Sequence, residues 1–217
     1  MAGTSEDQNG KPNPSGWTRR HFLKGVGAAA VATDAVIDRV VHAAPAEPDG
    51  TAVGEVMSGT LNVTLNINDK DHKVAIEPRC TLLSTLRDRL EPAITGPKLV
   101  CNAATCGACT VLLNGKPVYG CSVLAIDTVG KKITTVEGLG TPEHMNPVQQ
   151  QFVEKDAMMC GYCTSGFVTS ITALLRKNPT PTEMDVREAC KGNFCRCGTY
   201  PHVFQAALAA AKSGAKV

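Results

Sequence analysis

Three cysteines fall within nine residues, at Cys101, Cys106 and Cys109, and a fourth follows at Cys121. This C-x4-C-x2-C-x11-C spacing constrains the chain more than any other stretch. Four thiols so close together must either pair off or point at one small object. The residues between the first three are Asn, Ala, Ala, Thr, Gly and Ala. None is bulky, so the loop is free to wrap. The run has the spacing of plant-type [2Fe–2S] ligation, in which loop N–H groups also face the sulfurs and tune the potential. A zinc knuckle or a pair of disulfides is the plainer alternative. Zinc sites, however, favour two CxxC pairs set well apart.

A second group lies at Cys160, Cys163, Cys195 and Cys197, spaced C-x2-C-x31-C-x-C. The C-x-C pair is too tight for an easy disulfide between its own members, yet it suits two thiolates on one centre. Both halves of this motif stand before helix-like stretches, where the positive end of the dipole stabilises thiolates. The expectation is a second [2Fe–2S] cluster, with structural zinc as the alternative. Cys80 and Cys190 fit neither spacing and read as small core residues. With 22 basic and 20 acidic residues mixed along the sequence, the chain has no basic stripe, which argues against nucleic acid as a partner. Aromatic residues make up 4% of the chain, so its cores must be built from Val, Leu, Ile and Ala.

Residues 1–17 are polar and rich in Gly, Pro and Ser, and read as disordered. Residues 45–59 read as a linker. From Leu61 to Ile67 apolar and polar residues alternate, a half-buried strand. Asn68 to Asp71 is a turn cluster, and Val74 and Ile76 continue a second strand. Leu82, Leu83, Leu86 and Leu90 share one helical face. After the first cysteine loop, Thr110 to Leu113 is a strand, Asn114-Gly115 a type I′ hairpin signal, and Val118-Tyr119 the return. Ile133 to Val136 is a last strand. Beyond residue 138 period two disappears. Helices are expected over 147–155, 164–177, 184–190 and 203–212, with Thr182 as an N-cap.

Two resemblances follow from these residues. Thr18-Arg19-Arg20-His21-Phe22-Leu23-Lys24 resembles the twin-arginine export signal, which implies a periplasmic protein with residues 1–44 as n-region and signal. That route carries folded cargo, so iron can be inserted before the cysteines meet an oxidising compartment. The stretches CNAATCGACTVLLNGKPVYGC, MMCGYCTSGF and GNFCRCGTYPHV resemble the iron–sulfur subunits of the molybdenum hydroxylases, the xanthine dehydrogenase and aldehyde oxidase family. The resemblance covers about residues 60–210. It implies an α+β chain, with an N-terminal β-grasp, ferredoxin-like [2Fe–2S] domain over 60–137 and an all-α four-helix [2Fe–2S]-binding domain over 138–217. Cys101, Cys106, Cys109 and Cys121 would hold the first cluster. Cys160, Cys163, Cys195 and Cys197 would hold the second, with Cys197 approaching the pterin of a molybdenum cofactor. The chain has Ala104, Met159 and Ser165 where the family commonly has Gly, Gln and Pro; none of these removes a ligand.

No catalytic residue is expected in this chain. The resemblance implies a large molybdenum-cofactor subunit that oxidises an aldehyde or a heterocycle. Electrons would leave it through this chain to a FAD-binding subunit or another acceptor. A free two-cluster electron carrier and a zinc- or disulfide-stabilised periplasmic binding module are the readings that compete with it.

Overall fold

The computed structural model describes residues 58–214; the twin-arginine stretch and nearly all of the linker lie outside them. Strands β1 (Leu61–Ile67) and β2 (Lys70–Ile76) pair antiparallel, from Leu61 opposite Ile76 to Ile67 opposite Lys70. The period-two pattern sends Leu65, Ile67, Val74 and Ile76 inward, as a half-buried sheet requires. Asn68 and Asp69 turn the hairpin with φ of 52° and 63°. A type I′ turn needs positive φ at both central residues, and Asn and Asp bear that better than most. Asn68 also clamps the far side of the sheet. Its Oδ1 accepts from the Thr135 N–H at 2.9 Å and its Nδ2 donates to Thr135 Oγ1 at 3.0 Å.

Helix α1 (Leu82–Asp88) is capped by Thr81, whose Oγ1 accepts from the Ser84 N–H at 3.2 Å. It buries Leu82 and Leu86 against the sheet and Leu83 against Cys109 and Cys121. Leu90 is also buried but lies past the helix end, because Pro92 follows. The residue before a proline is driven away from helical backbone, so helices stop short of it. Strands β3 (Thr110–Leu113) and β4 (Lys116–Tyr119) form the second hairpin, around Asn114 and Gly115 with φ of 49° and 78°. Strand β5 (Lys132–Thr134) lies parallel to β1 and antiparallel to β3. The mixed sheet therefore runs β2-β1-β5-β3-β4. β5 ends two residues before the expected limit, and the chain turns through a short 3-10 segment at Val136–Gly138.

Four further helices follow: α2 (Pro147–Glu154), α3 (Thr164–Lys177), α4 (Glu183–Cys190) and α5 (Tyr200–Lys212). Capping boxes start two of them, Asn146 with Gln149 and Thr182 with Asp185, each satisfying amides that the first turn leaves free. Helix α5 begins at Tyr200, three residues earlier than the sequence pattern suggests. Pro201 occupies its first turn, where the missing N–H would have had no partner anyway. Val148, Phe152, Phe167, Ile171, Val186, Val203, Ala206 and Ala207 form the core between these helices.

Helix α3 is the element both halves share. Every residue from Ser165 to Thr172 is buried, unlike the single apolar stripe of a surface helix. It packs on β3 and β4 as well as on the other helices. Burying a side chain such as Phe167 contributes about 1.5–3 kcal/mol.

Candidate metal centres

The first four cysteines sit on a loop between α1 and β3 and on the 3-10 turn Gly120–Ser122 that ends β4. Asn102, Ala104 and Gly107 have φ of 50°, 54° and 70°. Left-handed residues in such a loop help turn its N–H groups toward one concavity, a nest for negative charge. The Ala103 N–H already donates to Cys101 Sγ at 3.3 Å. Lys98 N–H to Ala108 O at 2.9 Å and Gly120 N–H to Cys109 O at 3.1 Å close the loop onto its neighbours. Cys109 and Cys121 are buried over Leu83 beside Tyr119, while Cys101 and Cys106 are half-buried at the rim.

The thiols contact one another in pairs. Cys101 is hydrogen-bonded to Cys106. Cys109 is hydrogen-bonded to Cys121 and within electrostatic range of Cys106. Hydrogen bonds from the Thr105 hydroxyl and amide, then from the Ala103 amide, bring Cys101 down to about 6. Burial first of all pushes Cys109 up to about 12. Cys101 is thus ready to carry charge, while Cys109 needs a cation to release its proton.

The second four have the same plan. Cys163 is the N-cap of α3, and Cys195 and Cys197 lie on the loop between α4 and α5. Gly161 and Gly198, with φ of 82° and 83°, allow the two turns. Cys163 is hydrogen-bonded to Cys195, and Cys160 to Cys197. The inner pair is fixed by the core. The Cys195 N–H donates to the Tyr200 hydroxyl at 2.8 Å, and the Tyr200 ring meets Phe167 edge-on at 5.8 Å. Burial pushes Cys163 up to about 12. Burial also acts to raise Cys195, but hydrogen bonds from Thr199, Cys163 and the Gly198 amide outweigh it and bring the thiol to about 7. The outer pair, Cys160 and Cys197, is exposed.

Among the described residues no three Cys, His, Asp or Glu side chains are gathered as for a single ion. The observed arrangement is two linked pairs per set. A two-iron centre takes two thiolates per iron, so these donors fit a [2Fe–2S] group in number, softness and pairing. Zinc would want four sulfurs at one common distance near 2.3 Å. Cys80 packs against the sheet core, and Cys190 lies in the helical core, where burial pushes its thiol up to about 12.

The two sets meet across a tight seam. The Phe194 N–H donates to Cys106 O at 2.9 Å, one residue before Cys195. Buried Asn193 donates from Nδ2 to Gly107 O at 3.1 Å and accepts from Ser170 Oγ at 2.9 Å. The Tyr119 hydroxyl donates to Gly192 O at 3.1 Å. Glycine is required here for space as well as for φ. A Cβ on Gly107 would stand 2.4 Å from Gly192 O, and one on Gly166 would stand 2.2 Å from Gly107 O. Sequence reasoning grouped the eight cysteines into the two sets that the structure brings together, but missed Asn193 and the seam glycines. A lone Asn or Gly in a loop has no spacing to betray it.

A family model described as "[2Fe-2S] binding domain" matches residues 135–208. The chain is 38% identical over 211 residues to the aldehyde oxidoreductase iron-sulfur-binding subunit PaoA of Escherichia coli strain K12, covering 90% of this chain and 89% of the relative. It is 40% identical to the nicotine 6-hydroxylase small subunit of Paenarthrobacter nicotinovorans, covering 70% and 90%. Among solved structures, a chain of quinoline 2-oxidoreductase from Pseudomonas putida 86 superposes with a TM-score of 0.68 at 36% identity, over 72% of this chain and 96% of that one.

Proposed function

The chain belongs to the family of small iron–sulfur subunits of the molybdenum hydroxylases, and on that premise we propose how it serves such an enzyme. It is an electron-transfer subunit and holds no catalytic residue of its own. Residues 60–137 are a β-grasp, plant-type [2Fe–2S] domain, ligated by Cys101, Cys106, Cys109 and Cys121. Residues 138–217 are a four-helix [2Fe–2S]-binding domain, ligated by Cys160, Cys163, Cys195 and Cys197. When bound, the clusters supply two one-electron relays, the helical set toward a large molybdenum-cofactor subunit and the plant-type set toward a FAD-binding subunit or another acceptor.

The observation that carries this reading is the seam, where the backbone beside Cys195 hydrogen-bonds the carbonyl of Cys106. Neither set could shift without disturbing the other. The chain's own residues do the rest. Leu83, Tyr119 and Phe167 close off water, and the loop amides face the sulfurs. Around Cys160 and Cys197 the surface is apolar. Met159, Tyr162 and Phe194 are 73%, 60% and 54% exposed, which supports docking of the large subunit there and the approach of Cys197 to its pterin. At the other set the exposed Leu99 and Val100 flank Cys101, which supports an outgoing contact on that rim. The substrate is an aldehyde, by likeness to the Escherichia coli relative.

Tagged protein expressed with its genomic neighbours should co-purify with a large subunit, and the complex should contain iron and molybdenum. A clean iron-loaded monomer would replace the reading with a free carrier, and a colourless zinc protein with a structural module. Export rests on Thr18 to Lys24, outside the described residues, and places the protein in the periplasm by the twin-arginine route. Replacing Arg19 and Arg20 by Lys should leave iron-loaded chain in the cytoplasm on fractionation. Unchanged periplasmic accumulation would remove the export assignment.

A further inference from the structure

One spacing recurs four times. A threonine stands four residues after Cys101, Cys106, Cys160 and Cys195, at Thr105, Thr110, Thr164 and Thr199. The Thr110 hydroxyl donates instead to the Gly107 carbonyl at 2.6 Å. In two of the other three the hydroxyl meets the sulfur. Thr199 Oγ1 lies 3.1 Å from Cys195 Sγ, and the Thr105 side chain hydrogen-bonds Cys101. The third hydroxyl, Thr164 Oγ1, is buried and has no hydrogen-bond partner among the described residues. A buried hydroxyl left unpaired carries its full desolvation penalty, so native folds rarely keep one. Thr164 opens α3 directly after the ligand Cys163, and its own N–H is already bonded to Gly161 O.

Thr172 is the other buried side-chain hydroxyl without a hydrogen-bond partner among the described residues. It lies two turns further along α3 and has Val168, not a cysteine, four residues before it. It shares the burial but not the spacing, and so serves as an internal control.

We propose that Thr164 completes a repeated C-x3-T device: its hydroxyl donates a hydrogen bond to sulfur of the cluster held by the helical set, at Cys160 or at a bridging sulfide, and so sets that centre's reduction potential. The inference rests on the two-cluster reading. The physics is charge compensation. One electron enters, no proton is taken up, and the threonine O–H bond stays intact. The added charge falls largely on iron and sulfur, so a donor aimed at sulfur is worth more in the reduced state. Removing it lowers the potential. Thr164 is thus a positioning and tuning residue, not a catalytic one.

The test is a redox titration of the complex with its large subunit, each centre followed by its own paramagnetic resonance signal. Thr164→Val keeps the branched shape and deletes the hydroxyl. It should shift the helical-set equilibrium about tenfold toward the oxidised form, which is about 59 mV for one electron. The plant-type signal should stay where it is. Thr164→Ser should restore the wild-type potential, Thr105→Val should move the plant-type centre alone, and Thr172→Val should move neither. Should the valine variant fail to load iron, Thr164→Ala takes its place. An unchanged potential in a loaded hydroxyl-free variant overturns the proposal. So does iron loss in both hydroxyl-free variants while serine loads, because the hydroxyl would then serve assembly and not potential. Wild-type complex lacking either signal would defeat the two-cluster reading itself, a different result from two normal signals with Thr164→Val silent.

Discussion

Cys121→Ser is expected to erase the plant-type paramagnetic signal and leave the helical one, and Cys197→Ser is expected to do the reverse. Each set is closed on itself: Cys109 contacts Cys121, and Cys197 contacts Cys160. Altering groups that merely support a metal ligand costs about 10–100-fold in affinity or activity, so losing the ligand itself should exceed that. Electron delivery to an external acceptor should fall by more than about 100-fold in either variant. Folding should respond differently in the two. Cys121 is buried beside Leu83 and Cys109, so its hydroxyl replacement strands a polar group in the interior. Cys197 is exposed, and its variant should unfold close to wild type in a thermal scan. Cys80→Ala, outside both sets, should leave both signals in place. Loss of both signals from a single ligand change, in a chain that remains folded, would contradict two separate centres.

Gly166→Ala should lower thermal stability and weaken the magnetic coupling between the centres. Helix propensity alone favours alanine by about 1 kcal/mol. The space does not allow it. The new Cβ would stand 2.2 Å from Gly107 O and 2.8 Å from Asn193 Nδ2, so backbone must move. Overpacking of that kind costs about 3 kcal/mol, and the clash wins. For a domain of this size the net loss of about 2 kcal/mol is roughly 4–8 °C in Tm. The displaced group is the Gly107 carbonyl, which Asn193 holds next to the Phe194–Cys106 bond. The coupling between centres should therefore fall along with Tm. A stabilised Gly166→Ala would show that the seam is slack.

The sequence exposed different layers of this molecule unequally. The grouping of the cysteines into two sets was legible because thiols at fixed spacing have few other uses, and the hairpins because Asn68-Asp69 and Asn114-Gly115 sit between alternating strands. The helical half was legible in number, with one boundary displaced. The last helix begins at Tyr200 and not at Val203, because Pro201 is accommodated in its first turn. What stayed hidden is long-range. Nothing in the pattern of α3 says that its first turn touches Gly107, 59 positions earlier. Nothing marks Asn193 as the side chain that ties the loop to the helix. These depend on how two cores share one helix, and local periodicity does not encode that.

The central claim is that eight cysteines hold two [2Fe–2S] centres joined across one seam. Its most direct test is stepwise reduction of anaerobically isolated wild-type complex, followed by electron paramagnetic resonance with iron and acid-labile sulfide analysis. The account predicts two distinct rhombic signals and about four irons per chain. A single signal with about two irons, or zinc in place of iron, would contradict it.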